Sequence, residues 1–386
     1  MRLDAPWLNH AGTQAVMQAL SREGHCAYFV GGCVRNTILG QPVSDIGNAA
    51  DAPPEVATTL AEAAGLRVVP TGFDHGTITV LSDGPHEVTT FRRDVSTDGR
   101  RAVVAFSTAI EEDAARRDFT MNALYADRQG EVIDPLGGLP DALARRVRFI
   151  GTPAERIAED ALRILRFFRF MAIYGDPQLG PDPEGMAACA ASVEMLHVLS
   201  RERVGSELRK LLGAPDPAPA VAAMASTGAL AAVLPGTDIQ ALAPLVHLEG
   251  TSGIAPSWLR RLAVLGGGDW REPMRLSRAE MRVLQDIREG LSGEGLAVIA
   301  QSFGEGVATD VALIRAAAMA QPLPERWRAE VSRGAEAQFP VSAQDLIARY
   351  GEGPKLGAAL ERLRTLWIES DFKLDHEGLL KIDSDS

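Results

Sequence analysis

The sequence predicts an α+β (mixed) fold, in which a head with a mixed sheet and flanking helices is followed by an all-helical remainder. An apolar run of strand type, residues 26–30, stops at Gly31 and Gly32, and apolar residues at helical spacing follow. A second β-type run covers residues 87–91. Beyond the head, stretches rich in Ala and Leu alternate with breaks at glycine and proline, which favours a succession of helices.

The turn at Gly31 and Gly32 is suited to binding a phosphate group. Glycine can adopt a positive φ and brings backbone N–H groups close to a ligand. The helical pattern that follows places the turn at a helix N-terminus, where the dipole favours an anion, and Arg35 adds positive charge one turn later. A Gly-Gly pair also fits an ordinary turn, so both interpretations stay open at this point.

Two acidic residues lie near this turn in the predicted order of elements. Asp45 follows a turn at residues 40–42 and is predicted to lie on a short strand, and a helix is predicted to begin at about Pro53. Glu87 opens the β-type run that ends at residue 91. Taken alone, Asp45 fits an exposed turn residue and Glu87 fits an ordinary exposed strand residue.

Residues 152–169 are predicted to form one amphipathic helix that opens with a Thr-Pro pair. Asp160 and Arg163 are three positions apart and would share one face of it, and Arg166 and Arg169 would continue that face. Such a pattern is typical of a solvated helix face. It also fits a face that binds a polar ligand.

A series of short blocks along roughly the first 215 residues occurs in the order of a known family. The blocks are FVGGCVRN (29–36), SDIG (44–47), HGTITV (75–80), EVTTFR (87–92), DGRR (98–101), RRDFTMNAL (116–124), IDPLGG (133–138), EDALRILR (159–166) and residues 202–212. Together they resemble the class II nucleotidyltransferases, the family of bacterial CCA-adding enzymes and poly(A) polymerases. The resemblance implies a nucleotidyltransferase head followed by an all-helical neck, body and tail.

The resemblance implies nucleotidyl transfer that depends on two Mg²⁺ ions held by carboxylates. In the family, a D-x-D pair on one strand places two carboxylates on the same face, about 7 Å apart along the chain. Here the pair reads Asp45-Ile46-Gly47, and Gly47 supplies no ligand. Asn48 points to the opposite face and has only a neutral oxygen. Glu87 resembles the third acidic position of the family, so Asp45 and Glu87 are the implied catalytic and metal-binding residues.

The resemblance also implies a set of residues that bind the nucleotide. In the family, the aspartate and arginine that match Asp160 and Arg163 hydrogen-bond the Watson–Crick edge of the incoming base. Arg116 would meet a phosphate and Asn122 the ribose, although both could instead anchor the head's helix to its sheet. The complete implied set is Gly31, Gly32, Arg35, Arg116, Asp118, Asn122, Asp160, Arg163, Arg166 and Arg169.

Residues 94–101 are polar, contain Gly99 and join two β-type runs, so we expect a mobile loop there. In the family, the corresponding loop governs the step from one nucleotide to the next.

Composition and charge indicate a cytoplasmic enzyme. The sequence has no leader pattern and no apolar run long enough to span a bilayer, and its three cysteines form neither a disulfide framework nor a zinc site. A net charge of −12 argues against general coating of nucleic acid. Phosphate binding would depend on a local cluster, which the arginines between Arg92 and Arg169 could form.

These observations predict three domains and one preferred function. Residues 1–146 would form the catalytic head, residues 147–213 a helical neck that recognises the base, and residues 214–386 a helical body and tail that bind tRNA. The preferred function is addition of CCA to the tRNA 3′ end from CTP and ATP, with activity lowered by Gly47. A poly(A) polymerase and a catalytically inactive homologue that binds tRNA or nucleotide are the alternatives.

Overall fold

The computed structural model describes residues 1–97, 102–293 and 295–384. The chain divides into two compact units, Met1–Ile239 with Gly267–Arg275 and Gln240–Gly266 with Leu276–Ser386. All strands of the described residues lie in the first unit, and the second unit is helical. None of the helices in the described ranges combines the length and the apolar character needed to cross a membrane.

The strands form one mixed sheet and one separate antiparallel pair. In chain order they are β1 Ala27–Val30, β2 Asn48–Ala50, β3 Arg67–Gly72, β4 Thr77–Leu81, β5 Pro85–Thr90, β6 Arg92–Thr97, β7 Ala102–Phe106, β8 Tyr125–Ala126 and β9 Val132–Ile133. The sheet has the order β3-β4-β5-β2-β1-β8-β9, and β6 pairs with β7. Strand β1 is antiparallel to β2 and β8, whereas β2 is parallel to β5. The predicted mixed sheet is confirmed.

The helices flank this sheet and make up the rest of the chain. In chain order they are α1 Ala11–Leu20, α2 Gly32–Ile38, α3 Pro54–Ala63, α4 Ile110–Ala115, α5 Leu139–Leu143, α6 Pro153–Glu159, α7 Leu162–Tyr174, α8 Pro183–Ala191, α9 Arg201–Leu212, α10 Ala218–Ser226, α11 Ala229–Val233, α12 Leu242–Ser252, α13 Trp258–Val264, α14 Arg271–Met274, α15 Arg278–Ser292, α16 Leu296–Phe303, α17 Glu305–Ala318, α18 Trp327–Glu336, α19 Ala343–Tyr350, α20 Pro354–Glu369 and α21 His376–Ser384. Short 3₁₀ helices lie at Pro6–Asn9, Phe73–His75, Thr120–Asn122 and Val193–Val198.

The middle of the sheet rests on an apolar core. Val30, Ala49, Phe91 and Tyr125 are buried in one cluster that joins β1, β2 and β8. Burying a side chain as large as Phe91 contributes about 2 kcal/mol. The end of β1, from which the glycine turn departs, is therefore anchored to this core.

Asp45 lies before strand β2 and not on it. Its carboxylate is exposed and accepts a hydrogen bond from the Ser44 hydroxyl (3.0 Å). Backbone pairing with β1 begins at Gly47, whose carbonyl oxygen accepts the Val30 N–H (2.9 Å). Asp and Gly are weak strand formers, which explains the late start of β2. The prediction that the strand carries Asp45 is wrong.

The helix predicted over residues 152–169 is two helices, α6 and α7. Asp160 lies between them with an extended backbone, φ −154° and ψ 105°. Its carboxylate accepts the Leu162 N–H (3.1 Å). A side chain that bonds the backbone in this way competes with the helical ladder, which accounts for the break. Asp160 and Arg163 therefore do not share one helix face, contrary to the prediction.

The loop predicted over residues 94–101 falls partly in a strand. Residues 94–97 belong to β6, which pairs with β7. Residues 98–101, the DGRR block, lie outside the described residues.

Two helices of the second unit, α15 and α19, begin at a capping box. Ser277 and Glu280 form the capping box of α15, in which the Ser277 hydroxyl accepts the Glu280 N–H (3.3 Å) and the Glu280 carboxylate accepts the Ser277 N–H (2.7 Å). A second capping box, made by Ser342 and Asp345, begins α19. Helices α19, α20 and α21 then pack around buried Trp367.

Candidate active site

Strand β1 ends in a glycine turn. Gly31 has a φ of +73°, a conformation that glycine adopts without strain. Its N–H donates to the Leu124 carbonyl oxygen (3.1 Å), which fixes the turn to the neighbouring segment. Helix α2 begins at Gly32, so the predicted strand, turn and helix are confirmed.

The turn opens into a cavity of about 460 Å³ with a cationic lining. Six arginines and two aspartates line it, a net charge of +4 in a chain whose net charge is −12. Every predicted nucleotide-binding residue except Arg169 lines this cavity. The lining residues are Gly31, Gly32, Arg35, Arg116, Arg117, Asp118, Asn122, Asp160, Leu162, Arg163, Arg166, Phe170 and Arg203.

Four lining residues were missed from the sequence. Arg117 and Arg203 belong to the blocks 116–124 and 202–212, which could have pointed to them. Leu162 and Phe170 read as apolar core positions of a helix, and no chemical feature of their own distinguishes them.

Arg35 places a buried cation beside the turn. Arg35 is only 6% exposed, and its guanidinium donates to the side-chain oxygens of Asn36, Asn122 and Tyr174. These partners are neutral, and none of the described carboxylates forms an ion pair with Arg35. Burial lowers the pKa of the Arg35 guanidinium. A buried charge with neutral partners is stabilised by an incoming anion, so the cavity is suited to phosphate.

Asp118 is a buried residue of the cavity lining that hydrogen-bonds two other lining residues. One carboxylate oxygen accepts from Arg166 Nε (2.7 Å), and the other accepts from Asn122 Nδ2 (2.8 Å). Burial opposes ionisation of Asp118, but Arg166 and Asn122 outweigh it and hold its pKa below the usual range. Asn122 in turn accepts from Arg35. Asp118 therefore orients Arg166 directly and Arg35 through Asn122.

Asp113 in α4 anchors two further arginines of the lining. Its carboxylate is 1% exposed and accepts from Arg116 Nε (2.9 Å), Arg117 Nη2 (2.8 Å) and the Tyr125 hydroxyl (2.7 Å). Burial alone would raise the pKa of Asp113, but Arg117 and Arg116 outweigh it and lower the pKa to about 2. Because Tyr125 lies on β8, Asp113 and Arg117 join α4 to the sheet.

Asp160 and Arg163 both reach the cavity, each held by a different partner. The Arg163 guanidinium pairs with Glu159 and donates to the Arg116 carbonyl oxygen (3.0 Å). Asp160 Oδ2 accepts from Arg203 Nη2 (2.6 Å). An aspartate that accepts and an arginine that only donates can together meet a base edge that carries both donors and acceptors.

Arg169 does not reach the cavity. It is buried and its Nε donates to the Glu207 carboxylate in α9 (2.5 Å). Its charge is therefore already paired inside the protein. The prediction that Arg169 faces the nucleotide disagrees with this arrangement.

The predicted metal-binding carboxylates lie outside the cavity lining. Asp45 and Glu87 are both exposed, one before β2 and one on β5. Asn48 lies between them in the sequence and is 3% exposed. Its side chain donates to the carbonyl oxygens of Glu87 (2.9 Å) and Ile46 (3.2 Å). Asn48 thus ties β2 to β5 from the buried side and does not replace an acidic residue at position 47.

The donor set does not fit the two-metal centre that the resemblance implies. Over residues 1–97, 102–293 and 295–384, no three Asp, Glu, His or Cys residues are grouped so that they could hold a metal ion. Position 47 supplies no oxygen from a side chain. A Cβ built on Gly47 would lie 3.0 Å from the Val30 carbonyl oxygen, so a side chain at position 47 requires a small shift of the neighbouring backbone.

Comparison with known proteins identifies the family. Residues 27–148 match the model of the poly A polymerase head domain, and residues 179–240 match that of a probable RNA and SrmB-binding site of polymerase A. A CCA-adding enzyme from Bacillus licheniformis is 32% identical over 383 residues, which cover 95% of this chain and 92% of the relative. The chain belongs to the class II nucleotidyltransferase family. Members of this family generally depend on a divalent metal ion.

Other members of the class II nucleotidyltransferase family match over shorter segments. A CCA-adding enzyme from Geobacillus thermodenitrificans is 34% identical over 82% of this chain and 72% of its own length. One from Geobacillus stearothermophilus is 40% identical over 57% of this chain and 54% of its own length. In alignments of the latter kind, the chain spans about half the length of the relative.

Solved structures of class II nucleotidyltransferases share the fold. The crystal structure of a CCA-adding enzyme from Bacillus stearothermophilus in complex with CTP matches with a TM-score of 0.75 and 29% identity, over 96% of this chain and 94% of that chain. A CCA-adding enzyme from Thermotoga maritima, complexed with tRNA, has a TM-score of 0.70 at 19% identity, over 96% of this chain and 94% of that chain. This second likeness concerns the fold alone.

Proposed function

We propose that this class II nucleotidyltransferase adds CCA to the 3′ end of tRNA from CTP and ATP, and that Gly47 lowers its rate. The observation that carries the proposal is the cationic cavity, which joins the glycine turn to Asp160 and Arg163. The relatives that match over most of their length are CCA-adding enzymes, which supports the same activity here. As in a bacterial enzyme of this kind, the protein would act in the cytoplasm.

The lining suggests how a nucleoside triphosphate would be held. Arg35 and Arg166 would bind the phosphates, because both are fixed by Asp118 and its partner Asn122. Fixed cations stabilise the charge that develops on the leaving pyrophosphate without reorganising during the reaction. Asp160 and Arg163 would read the base edge, and Asn122 would meet the ribose. Arg203 would hold Asp160 in place.

The metal requirement would be met incompletely. We propose Mg²⁺ as the ion, with Asp45 and Glu87 as the carboxylates that this chain has available for it. Loss of one preorganised charged group typically costs on the order of a hundredfold in rate. Gly47 is not among the residues that line the cavity, so binding of nucleotide and tRNA would be retained while turnover is low.

We also propose that the chain has three parts. Residues 1–146 would be the catalytic head, residues 147–213 the neck that reads the base, and residues 214–386 the body and tail that bind tRNA.

A catalytically inactive homologue that binds tRNA and nucleotide is the second candidate, and Gly47 favours it. Incubating the protein with a tRNA that lacks its terminal CCA, labelled CTP and ATP, and Mg²⁺ distinguishes the two. We expect slow addition of two C and one A residues. Binding without any addition would support the inactive homologue, and long A tails would support a poly(A) polymerase.

Removing both base-reading side chains should blur the choice of nucleotide. In Asp160→Ala/Arg163→Ala we expect the preference for CTP and ATP over UTP and GTP to fall by about tenfold or more, because one or two hydrogen bonds to the base are lost. Triphosphate affinity should change less, since Arg35 and Arg166 remain. Competition between labelled nucleotides measures the preference. Glu155→Ala, an exposed carboxylate on α6, is the control. An unchanged preference in the double variant would contradict the assignment.

A further inference from the structure

Helix α7 holds the Arg35 guanidinium with two aromatic side chains. The Tyr174 hydroxyl accepts from Arg35 Nη2 (2.7 Å), and the centre of the Tyr174 ring lies 3.9 Å from Arg35 Cζ. The Phe170 ring lies 5.2 Å from the same carbon atom, and the two ring centres are 5.0 Å apart. Because they are four residues apart, Phe170 and Tyr174 lie on one face of α7.

This arrangement fixes the cation without neutralising it. A ring face attracts a guanidinium most strongly where water is excluded, and Arg35 is buried. A carboxylate at the place of the Tyr174 hydroxyl would instead cancel the charge and compete with a phosphate. Among the described contacts, Arg35 uses four of its five N–H groups, on Asn36, Asn122 and Tyr174. One N–H on Nη1 is left for a ligand in the cavity that Arg35 lines.

The same helix links the two ends of the cavity. Helix α7 carries Arg163 and Arg166 in its first half and Tyr174 as its last residue. Arg35 lies on α2, directly after the glycine turn, and its Nη2 is 3.8 Å from the point where a side chain on Gly32 would begin. Tyr174, with Phe170 beside it, therefore links the base-reading helix directly to the cation at the turn.

We propose that Tyr174 is a positioning residue for the triphosphate, which acts by holding Arg35 against the glycine turn with its charge free. This inference rests on the proposed nucleotide site and adds to it a residue outside the cavity lining. The residue it acts through is Arg35, and the ligand chemistry concerned is the phosphate chain and not the base.

The test separates phosphate binding from base reading in the full-length protein. Tyr174→Phe keeps the ring and removes the hydroxyl, whereas Tyr174→Leu removes both. Affinities for inorganic triphosphate, CTP and UTP are measured by calorimetry. We expect the affinity for inorganic triphosphate and CTP to fall about tenfold in Tyr174→Phe and further in Tyr174→Leu. The ratio of CTP to UTP affinity should stay at the wild-type value, and KM for CTP should rise more than kcat falls.

The control is Tyr350→Phe in the second unit, which also removes a hydroxyl that is hydrogen-bonded to a charged group, Asp383. It should leave all three affinities unchanged. Wild-type affinity for inorganic triphosphate in both Tyr174 variants would overturn the inference. A fall in the ratio of CTP to UTP affinity in parallel with the fall in triphosphate affinity would also overturn it, because it would indicate a structural role only. If the wild-type protein itself binds neither CTP nor inorganic triphosphate, the proposed function fails, and the inference fails with it.

Discussion

Gly47→Asp should raise the rate of nucleotide addition by on the order of a hundredfold, because it supplies the charged group that the D-x-D pair lacks. It should also lower the Mg²⁺ concentration needed for half-maximal rate. The φ angle of Gly47 is not in the left-handed region, so an L-residue is not strained there. A Cβ would, however, lie 3.0 Å from the Val30 carbonyl oxygen, so β1 or β2 must shift by a few tenths of an ångström. Single-turnover incorporation of labelled CMP over a range of Mg²⁺ concentrations measures the gain.

Gly47→Asn is the matched control for this experiment, because it has nearly the same shape and no charge. It should fold equally well and show no comparable gain. A folded Gly47→Asp variant that adds nucleotides no faster than the wild type at any Mg²⁺ concentration would mean that position 47 does not limit the reaction.

Asp113→Asn should destabilise the protein by about 3–5 kcal/mol, since it removes the buried carboxylate with which the half-buried Arg116 and Arg117 both pair. For a unit of this size, the midpoint of thermal unfolding should fall by about 10 °C. The arginines face the cavity, so nucleotide affinity should weaken as well. Thermal and urea unfolding, followed by circular dichroism, measure the effect.

Protonation of Asp113 should account for part of the loss of folding stability at acidic pH. In the folded state the pKa of Asp113 is about 2, below its ordinary value of 3.8, so the folded protein favours the ionised form. Its contribution, about 2 kcal/mol, is present above about pH 4 and is lost as the pH falls from about 4 to 2. Asp113→Asn should lack this component. Glu111→Gln, an exposed residue on the same helix, should keep it. Identical acid profiles for the wild type and Asp113→Asn would contradict the assignment.

Features that a short stretch of chain determines were predictable from the sequence. The apolar run, the two glycines and the helical spacing after them specify β1, the turn at Gly31 and α2, because each depends on neighbouring residues only. The capping box of Ser277 and Glu280 likewise contains all its own hydrogen-bond partners. The residues of the cavity are distant in the sequence, and they were predicted from the family resemblance and not from local chemistry.

Features that depend on pairing across the chain were not predictable. The carboxylate of Asp160 is held in the cavity by Arg203, which lies 43 positions away. Arg169 has the spacing of a ligand-facing arginine, yet its partner Glu207 lies 38 positions further along and is buried. Asp113 carries no motif at all, since its importance comes from the arginines that fold against it.

The most direct test of the proposed nucleotide site is a crystal structure of the protein with CTP. The expected result is the triphosphate at the glycine turn, with phosphate oxygens within hydrogen-bond distance of Arg35, and the cytosine edge on Asp160 and Arg163. A CTP molecule bound outside this cavity, or with its base away from Asp160 and Arg163 while the triphosphate avoids Arg35, would contradict it.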